Sequence, residues 1–147
     1  ATKDVDLVVD ADAARYPRLL ESLAARGFRP ATSVGDGLDP VPDLVLFRDD
    51  RGRRIDILFA HTDFEGSALA RRTMGEPYAG VVVPVVSVED LIVYKLLADR
   101  TQDRADLEHV VMAHARRATP IDWPYVERWC ALWEIEARLA RLRASAG

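Results

Sequence analysis

An α+β fold, with a small sheet and a helical C-terminal part, is what this sequence predicts, and three observations predict it. Strand-like apolar runs open the chain and recur at Leu44–Arg48, Arg53–Ala60 and Val81–Val86. One clear helix-period segment, near residues 12–26, separates the first run from the others. Beyond Val86 the remaining pattern has helix spacing throughout. The order is mixed, a strand, a helix, a hairpin, a strand and then all helices, which is an α+β arrangement.

Each element has a local reason. Asp4-Val5-Asp6-Leu7-Val8-Val9 alternates and then turns apolar, as a strand buried on at least one face would. Asp12 is placed to cap a helix reaching about Arg26, with Leu19, Leu20 and Leu23 on one face and Gly27 ending it. A Gly/Pro-rich loop, Val34–Pro42, leads into a hairpin of Leu44–Arg48 and Arg53–Ala60 around Asp49-Asp50-Arg51-Gly52. A short helix is expected near Phe64–Arg72, and Ser87-Val88-Glu89-Asp90 after the Val81–Val86 strand reads as a capped helix start. Helices follow over Val88–Asp99 and about Gln102–Ala115; Thr119-Pro120 breaks the chain, and Asp122 opens a final helix through Trp123, Trp129, Trp133 and Leu139. Without repeats or a long linker, residues 1–147 are expected to form one domain, with an α/β core over about 1–115 and a C-terminal helix in 116–147. The opening strand begins at the fourth residue with no element before it, the pattern of a fragment or a processed form.

Composition narrows the class. The 147 residues are 49% hydrophobic and 30% charged, the balance of an ordinary soluble domain. No run approaches the roughly 20 apolar residues of a membrane span, no secretory signal pattern opens the chain, and Cys130 is the only cysteine. A reducing cytoplasm is the expected compartment. The net charge of −4 excludes a polyelectrolyte binder of nucleic acid as a whole. Residues 116–147 nonetheless carry six Arg against four Asp or Glu, a mildly basic tail on an acidic body. Of 20 basic residues only two are Lys, namely Lys3 and Lys95.

Three carboxylates carry the chemistry. Asp4 and Asp6 stand two apart on one strand, so both leave the same face. Hard cations such as Mg²⁺ take one or two carboxylates together with substrate phosphate oxygens. Asp56 adds a lone acid in the middle of the apolar run Ile55-Asp56-Ile57-Leu58-Phe59. A buried charge needs a partner: either a metal ion shared with Asp4 and Asp6, or a salt bridge to Arg53 or Arg54. Lys95 lies mid-helix among Leu91, Ile92, Val93, Leu96 and Leu97, so its amine must reach something negative or escape to water. A phosphate satisfies that need, as does Asp99 four residues on. Asp103 and Asp106 share a helix face and are placed to orient Lys95 or a substrate. His61, His109 and His114 lack ligand spacing; the three tryptophans read as packing, and Gly35-Asp36-Gly37 reads as a turn.

Thr2-Lys3-Asp4-Val5-Asp6-Leu7-Val8-Val9 resembles the T-x-D-h-D-h strand of the DNA polymerase β-like nucleotidyltransferases, and Asp56 matches their third carboxylate. Ser87 through Leu107 resembles the S-x-E-D-L-I-x-x-K-L-x-A-x-R-x-x-D-x-x-D block of bacterial AbiEii-type and minimal nucleotidyltransferases, many of them toxins of toxin–antitoxin pairs. The resemblance spans residues 2–107, and its second block is the more specific. It implies a nucleotidyltransferase-like fold, with Asp4, Asp6 and Asp56 as ligands of two Mg²⁺ ions. It makes Lys95 a nucleotide-phosphate or helix-anchoring residue, supported by Asp103 or Asp106. The implied reaction moves a nucleoside monophosphate from a nucleoside triphosphate such as ATP to an acceptor hydroxyl. The acceptor class is tRNA, a protein or a small molecule, and an antitoxin protein is the implied partner. The family's Gly-Ser turn, which grips the triphosphate before the D-x-D strand, has no counterpart in this sequence. A non-catalytic module, truncated or decayed, that binds a nucleotide or a partner is the alternative.

Overall fold

The structure, a computed structural model, describes residues 4–146. Thr2, Lys3 and the Asp4 side chain lie outside the described residues. Among the described residues there are six helices, a mixed four-stranded sheet and a two-stranded sheet, the α+β composition that the mixed element order predicts. The chain gathers into two compact units, residues 1–69 and 70–147, a division other than the core and tail expected to part near residue 115.

The first unit holds β1 (Asp4–Val9), α1 (Arg15–Ala25), β2 (Arg29–Val34), β3 (Leu44–Arg48) and β4 (Arg54–Phe59). Sheet order is β1-β4-β3-β2; β1 runs parallel to β4, and the other neighbours are antiparallel. Val45, Phe47, Ile57 and Phe59 alternate onto one face of the sheet and are buried. Tyr16, Leu19, Leu20 and Leu23 of α1 pack on that cluster, with the Tyr16 ring edge-on to Phe59 at 5.3 Å. Removing these large side chains from water supplies roughly 1.5–3 kcal/mol apiece. The Asp12 carboxylate accepts from the Ala14 and Arg15 amides at the start of α1. Gly27, at φ +87°, ends the helix: its amide donates to Ala24 O and that of Phe28 to Leu23 O, a Schellman closure.

Two expectations change in this unit. The opening strand reads as buried on at least one face, yet β1 is the edge among the described strands, with Val5 48% and Leu7 41% exposed. Its apolar character is used at Val9, which packs against the core, rather than along its length. β2, at the other edge, is exposed throughout and is a strand that hydrophobic alternation does not reveal.

The second unit opens at the end of α2 (Asp63–Arg71) and continues with β5 (Thr73–Tyr78) and β6 (Val81–Val85), paired as an antiparallel hairpin. Four helices follow: α3 (Val88–Ala98), α4 (Thr101–Arg116), α5 (Trp123–Leu132) and α6 (Glu136–Ala146). α3 packs on α4 and α5, and α6 packs on the same two helices. Ile92, Val93, Leu96, Leu107, Val126, Trp129, Leu139 and Leu142 are buried there. The single final helix expected from Asp122 onward is instead two. Glu134 adopts the left-handed conformation at φ +54°, its amide donates to Ala131 O and that of Ile135 to Cys130 O. This is a second Schellman closure, made without glycine, and Ile135 is buried just beyond it.

Candidate functional site

The parallel register of β1 on β4 sets Asp6 opposite Asp56, and Asp4 opposite Arg54. Ile57 and Phe59 take the face toward α1, so alternation puts Asp56 on the other face, with Asp6 exposed beside it on the edge strand. Arg54 lies two residues before Asp56 on the same strand. Its Nη2 donates to Asp56 Oδ2 at 2.8 Å, with the two side chains 31% and 16% exposed. The second oxygen, Asp56 Oδ1, is buried and has no hydrogen-bond partner among the described residues. One half of this carboxylate is therefore paired by arginine, and the other is a desolvated acceptor. Among the described residues no group of three or more His, Cys, Asp or Glu is arranged to hold a metal ion. The proposed third ligand, the Asp4 side chain, falls outside the described residues. A surface cleft of ≈ 270 Å³ in this unit is lined by Tyr16, Ser33, Gly35, Asp36, Asp39 and Asp43, and neither Asp6 nor Asp56 lines it.

In the second unit, Lys95 is held between two acids. Its Nζ donates to Asp106 Oδ2 at 2.6 Å and to Asp103 Oδ1 at 3.2 Å. Asp99, four residues along, is not its partner and takes arginines instead. Asp103 is 2% exposed and also accepts from the Arg100 Nε at 2.6 Å and from the Arg100 amide, so it closes the N-terminus of α4 while anchoring α3 to it. The spacing of Lys95, Asp103 and Asp106 thus makes an interhelical ion cluster. Burial works to lower the Lys95 ammonium pKa, but its bonds to Asp106 and Asp103 outweigh this and hold it above the ordinary value. The Arg100 side chain, against opposing burial and with help from Lys95, holds the Asp103 carboxyl below its ordinary value.

The signs give a pH window. A carboxylate with a depressed folded pKa adds stability that is whole above its unfolded value, near ~3.9, and is lost as pH falls through the folded value. The raised Lys95 contribution is whole below about 10.4 and fades as pH climbs through its folded value. Asp103→Asn is therefore expected to cost about 1–3 kcal/mol across pH 5–9. That difference from wild type should shrink below about pH 4. Urea melts at a series of pH values measure it; an unchanged difference at pH 3 would show that charge is not its source.

A further polar network, centred on the start of α3, was only half visible in the sequence. Ser87 caps α3: its Oγ accepts from the Asp90 amide and its hydroxyl donates to Asp90 Oδ2. Asp90 is fully buried and takes the Tyr125 hydroxyl on Oδ1. Glu89 accepts from the Asp122 amide at 3.1 Å and from Arg71 at 3.3 Å, and the Arg71 guanidinium lies 4.0 Å from the Tyr125 ring centroid. Two adjacent acids before an apolar helix were the signal at Glu89-Asp90. Nothing in the sequence pointed to Arg71 or Tyr125 as their partners. Trp129 is buried in packing, whereas Trp133 is 39% exposed. His61 Nε2 lies 3.2 Å from Pro42 O.

No protein-family model matches the chain, and no curated protein matches it. The functional reading rests on its own residues. Among the described residues no helix is long and apolar enough to cross a membrane.

Proposed function

We propose that this chain is a metal-dependent nucleotidyltransferase that moves a nucleoside monophosphate from a nucleoside triphosphate to an acceptor hydroxyl, in the manner of a toxin restrained by an antitoxin protein. The observation that supports it is the register of Asp6 opposite Asp56, on the face away from the α1 core, with a buried Asp56 oxygen that has no partner among the described residues. Oxygen donors of this kind suit Mg²⁺, and Asp6, Asp56 and, two positions back on β1, Asp4 would hold the ions. Such ions, when bound, supply neutralisation of the triphosphate and of the charge that develops on transfer. The free oxygen of Asp56 accepts the proton of the acceptor hydroxyl as that hydroxyl attacks the α-phosphorus and the bond to pyrophosphate breaks. Arg54 holds the other oxygen and so fixes the carboxylate's orientation.

The same ion pair favours a second reading, a non-catalytic nucleotide- or partner-binding module, because Arg54 already compensates the Asp56 charge without a metal. Two measurements on the full-length protein separate them. The enzyme reading expects Mg²⁺-dependent binding of a nucleoside triphosphate by calorimetry, and transfer of label from an α-labelled triphosphate to tRNA, a protein or a small molecule. Absence of metal-dependent triphosphate binding ends the enzyme reading and leaves the module.

A further inference from the structure

The sheet face turned away from α1 holds more than the acid pair. Val45 and Phe47 of β3 point to the α1 core, so Leu44, Leu46 and Arg48 take the other face, the one that Arg54 and Asp56 take on β4. The antiparallel register sets Leu46 opposite Asp56 and Arg48 opposite Arg54. On the other side of β3 it sets Arg29 of β2 opposite Arg48. Three arginines thus stand directly opposite one another on three neighbouring strands. Like charges so placed destabilise a sheet unless each finds a counter-charge or another acceptor.

The outer two are committed. Arg54 Nη2 donates to Asp56 Oδ2 at 2.8 Å, and Arg29 Nη1 donates to the Ala24 and Phe28 carbonyls near the end of α1. Arg48, between them, is exposed, and no acid among the described residues pairs with it, Asp50 of the adjoining turn included. Asp49, the next residue, is bound to Arg53 Nε at 2.6 Å. Arg48 is therefore a cation without a counter-charge, held by its strand on the face that carries Asp6 and Asp56.

We propose that Arg48 binds the phosphate tail of the nucleoside triphosphate. The inference rests on the nucleotidyltransferase reading and adds to it a residue of the neighbouring strand. Arg48 is the diagonal neighbour of Asp56, and such neighbours stand roughly 7–8 Å apart, within reach of a long side chain. Its guanidinium thus has the length to hold an anion beside Asp56, on the side away from Asp6. Neighbouring strands are only about 4.8 Å apart, so a chain of three phosphates held over β1 and β4 is long enough to extend over β3. A planar guanidinium pairs bidentately with phosphate oxygens and is weakly hydrated, so little is lost in freeing it. A bound phosphate also supplies the counter-charge that the opposed arginines lack at Arg48.

Calorimetry of the full-length protein in Mg²⁺, with ATP and with inorganic tripolyphosphate as titrants, tests it. Wild type is expected to bind both. Arg48→Gln should weaken both by about tenfold or more, the scale of one charge-assisted contact. Arg48→Lys should weaken them less, because lysine keeps the charge and loses the fork. Without ligand, Arg48→Gln should melt no lower than wild type, since it removes one of the opposed charges. Arg15→Gln, on α1 at the opposite face of the sheet, should bind as wild type does. Wild-type affinity for ATP in the folded Arg48→Gln variant overturns the proposal and leaves the nucleotidyltransferase reading standing. A loss confined to ATP, with tripolyphosphate unaffected, also overturns it, because the arginine would then serve the base or the sugar. Absence of Mg²⁺-dependent ATP binding in wild type removes both.

Discussion

Asp6→Ala is expected to reduce nucleotidyl transfer by about 10³-fold or more, which corresponds to the several kcal/mol of charge stabilisation that a metal ligand set provides. The variant should fold. Asp6 is exposed on an edge strand and contributes little packing, so its loss leaves the Val45, Phe47, Ile57 and Phe59 cluster untouched. A small gain in thermal stability is expected in metal-free buffer, because β1–β4 register holds Asp6 directly opposite Asp56, and like charges opposite one another on neighbouring strands repel. Added Mg²⁺ and triphosphate should raise the wild-type melting temperature and leave that of the variant unmoved. Label transfer and melting curves on the two proteins give both readouts. If transfer survives Asp6→Ala at wild-type rates, the paired carboxylates are not the site of the chemistry.

The parts of this arrangement that were legible in the sequence are those encoded locally. Gly27 marks the end of α1, and Ser87 with Asp90 marks the start of α3, because capping uses side chains or backbone freedom within four residues. The β3–β4 hairpin reads directly, since Val45, Phe47, Ile57 and Phe59 alternate with period two. β2 and β5 were not legible. Arg29-Pro30-Ala31-Thr32-Ser33-Val34 is exposed along its whole length, so it carries no alternation, and it is a strand because β3 offers it an edge. Thr73–Tyr78 contains Gly75 and Pro77, both strand breakers, yet pairs with β6. At Gly75 a Cβ would approach Val85 Cγ2 to 2.7 Å, so the breaker is also the residue that lets the two strands close.

For the candidate site, the residue types were legible and their partners were not. Asp56 announced itself as an acid in an apolar strand. Whether its neighbour was Arg53 or Arg54 depended on strand geometry: Arg54 shares its face, and Arg53 instead pairs with Asp49 across the turn. Lys95 required an acid, and the sequence left Asp99 open as its partner. At Asp99 the chain turns left-handed and that carboxylate pairs with Arg104 of α4 and Arg141 of α6 instead, while α4 also brings Asp103 and Asp106 to Lys95. Such choices are made where helices turn back on one another, beyond the reach of periodicity.

Asp90→Ala is expected to be the most destabilising single substitution in the second unit, at about 3–4 kcal/mol. The figure follows from the groups left behind. Asp90 is fully buried, and alanine would strip the acceptor from the buried Tyr125 hydroxyl and from Ser87, and remove the acid 3.6 Å from Arg71. Each buried polar group left unmatched costs roughly 1–3 kcal/mol, and a cation losing its buried partner costs more. The first turn of α3 also loses a favourable acid at its positive end. Asp90→Asn should be milder, about 1–2 kcal/mol, because its carbonyl still accepts from Tyr125 while its amide faces the Ser87 oxygen. Tyr125→Phe should cost a similar amount, and the Asp90/Tyr125 double-mutant cycle should show a coupling of about 1–2 kcal/mol. Urea denaturation of wild type, Asp90→Ala, Asp90→Asn, Tyr125→Phe and the Asp90→Ala/Tyr125→Phe double variant measures all four quantities. Additive losses would mean that Tyr125 and Asp90 act separately, and the bond that ties α3 to α5 would not be the source of the stability.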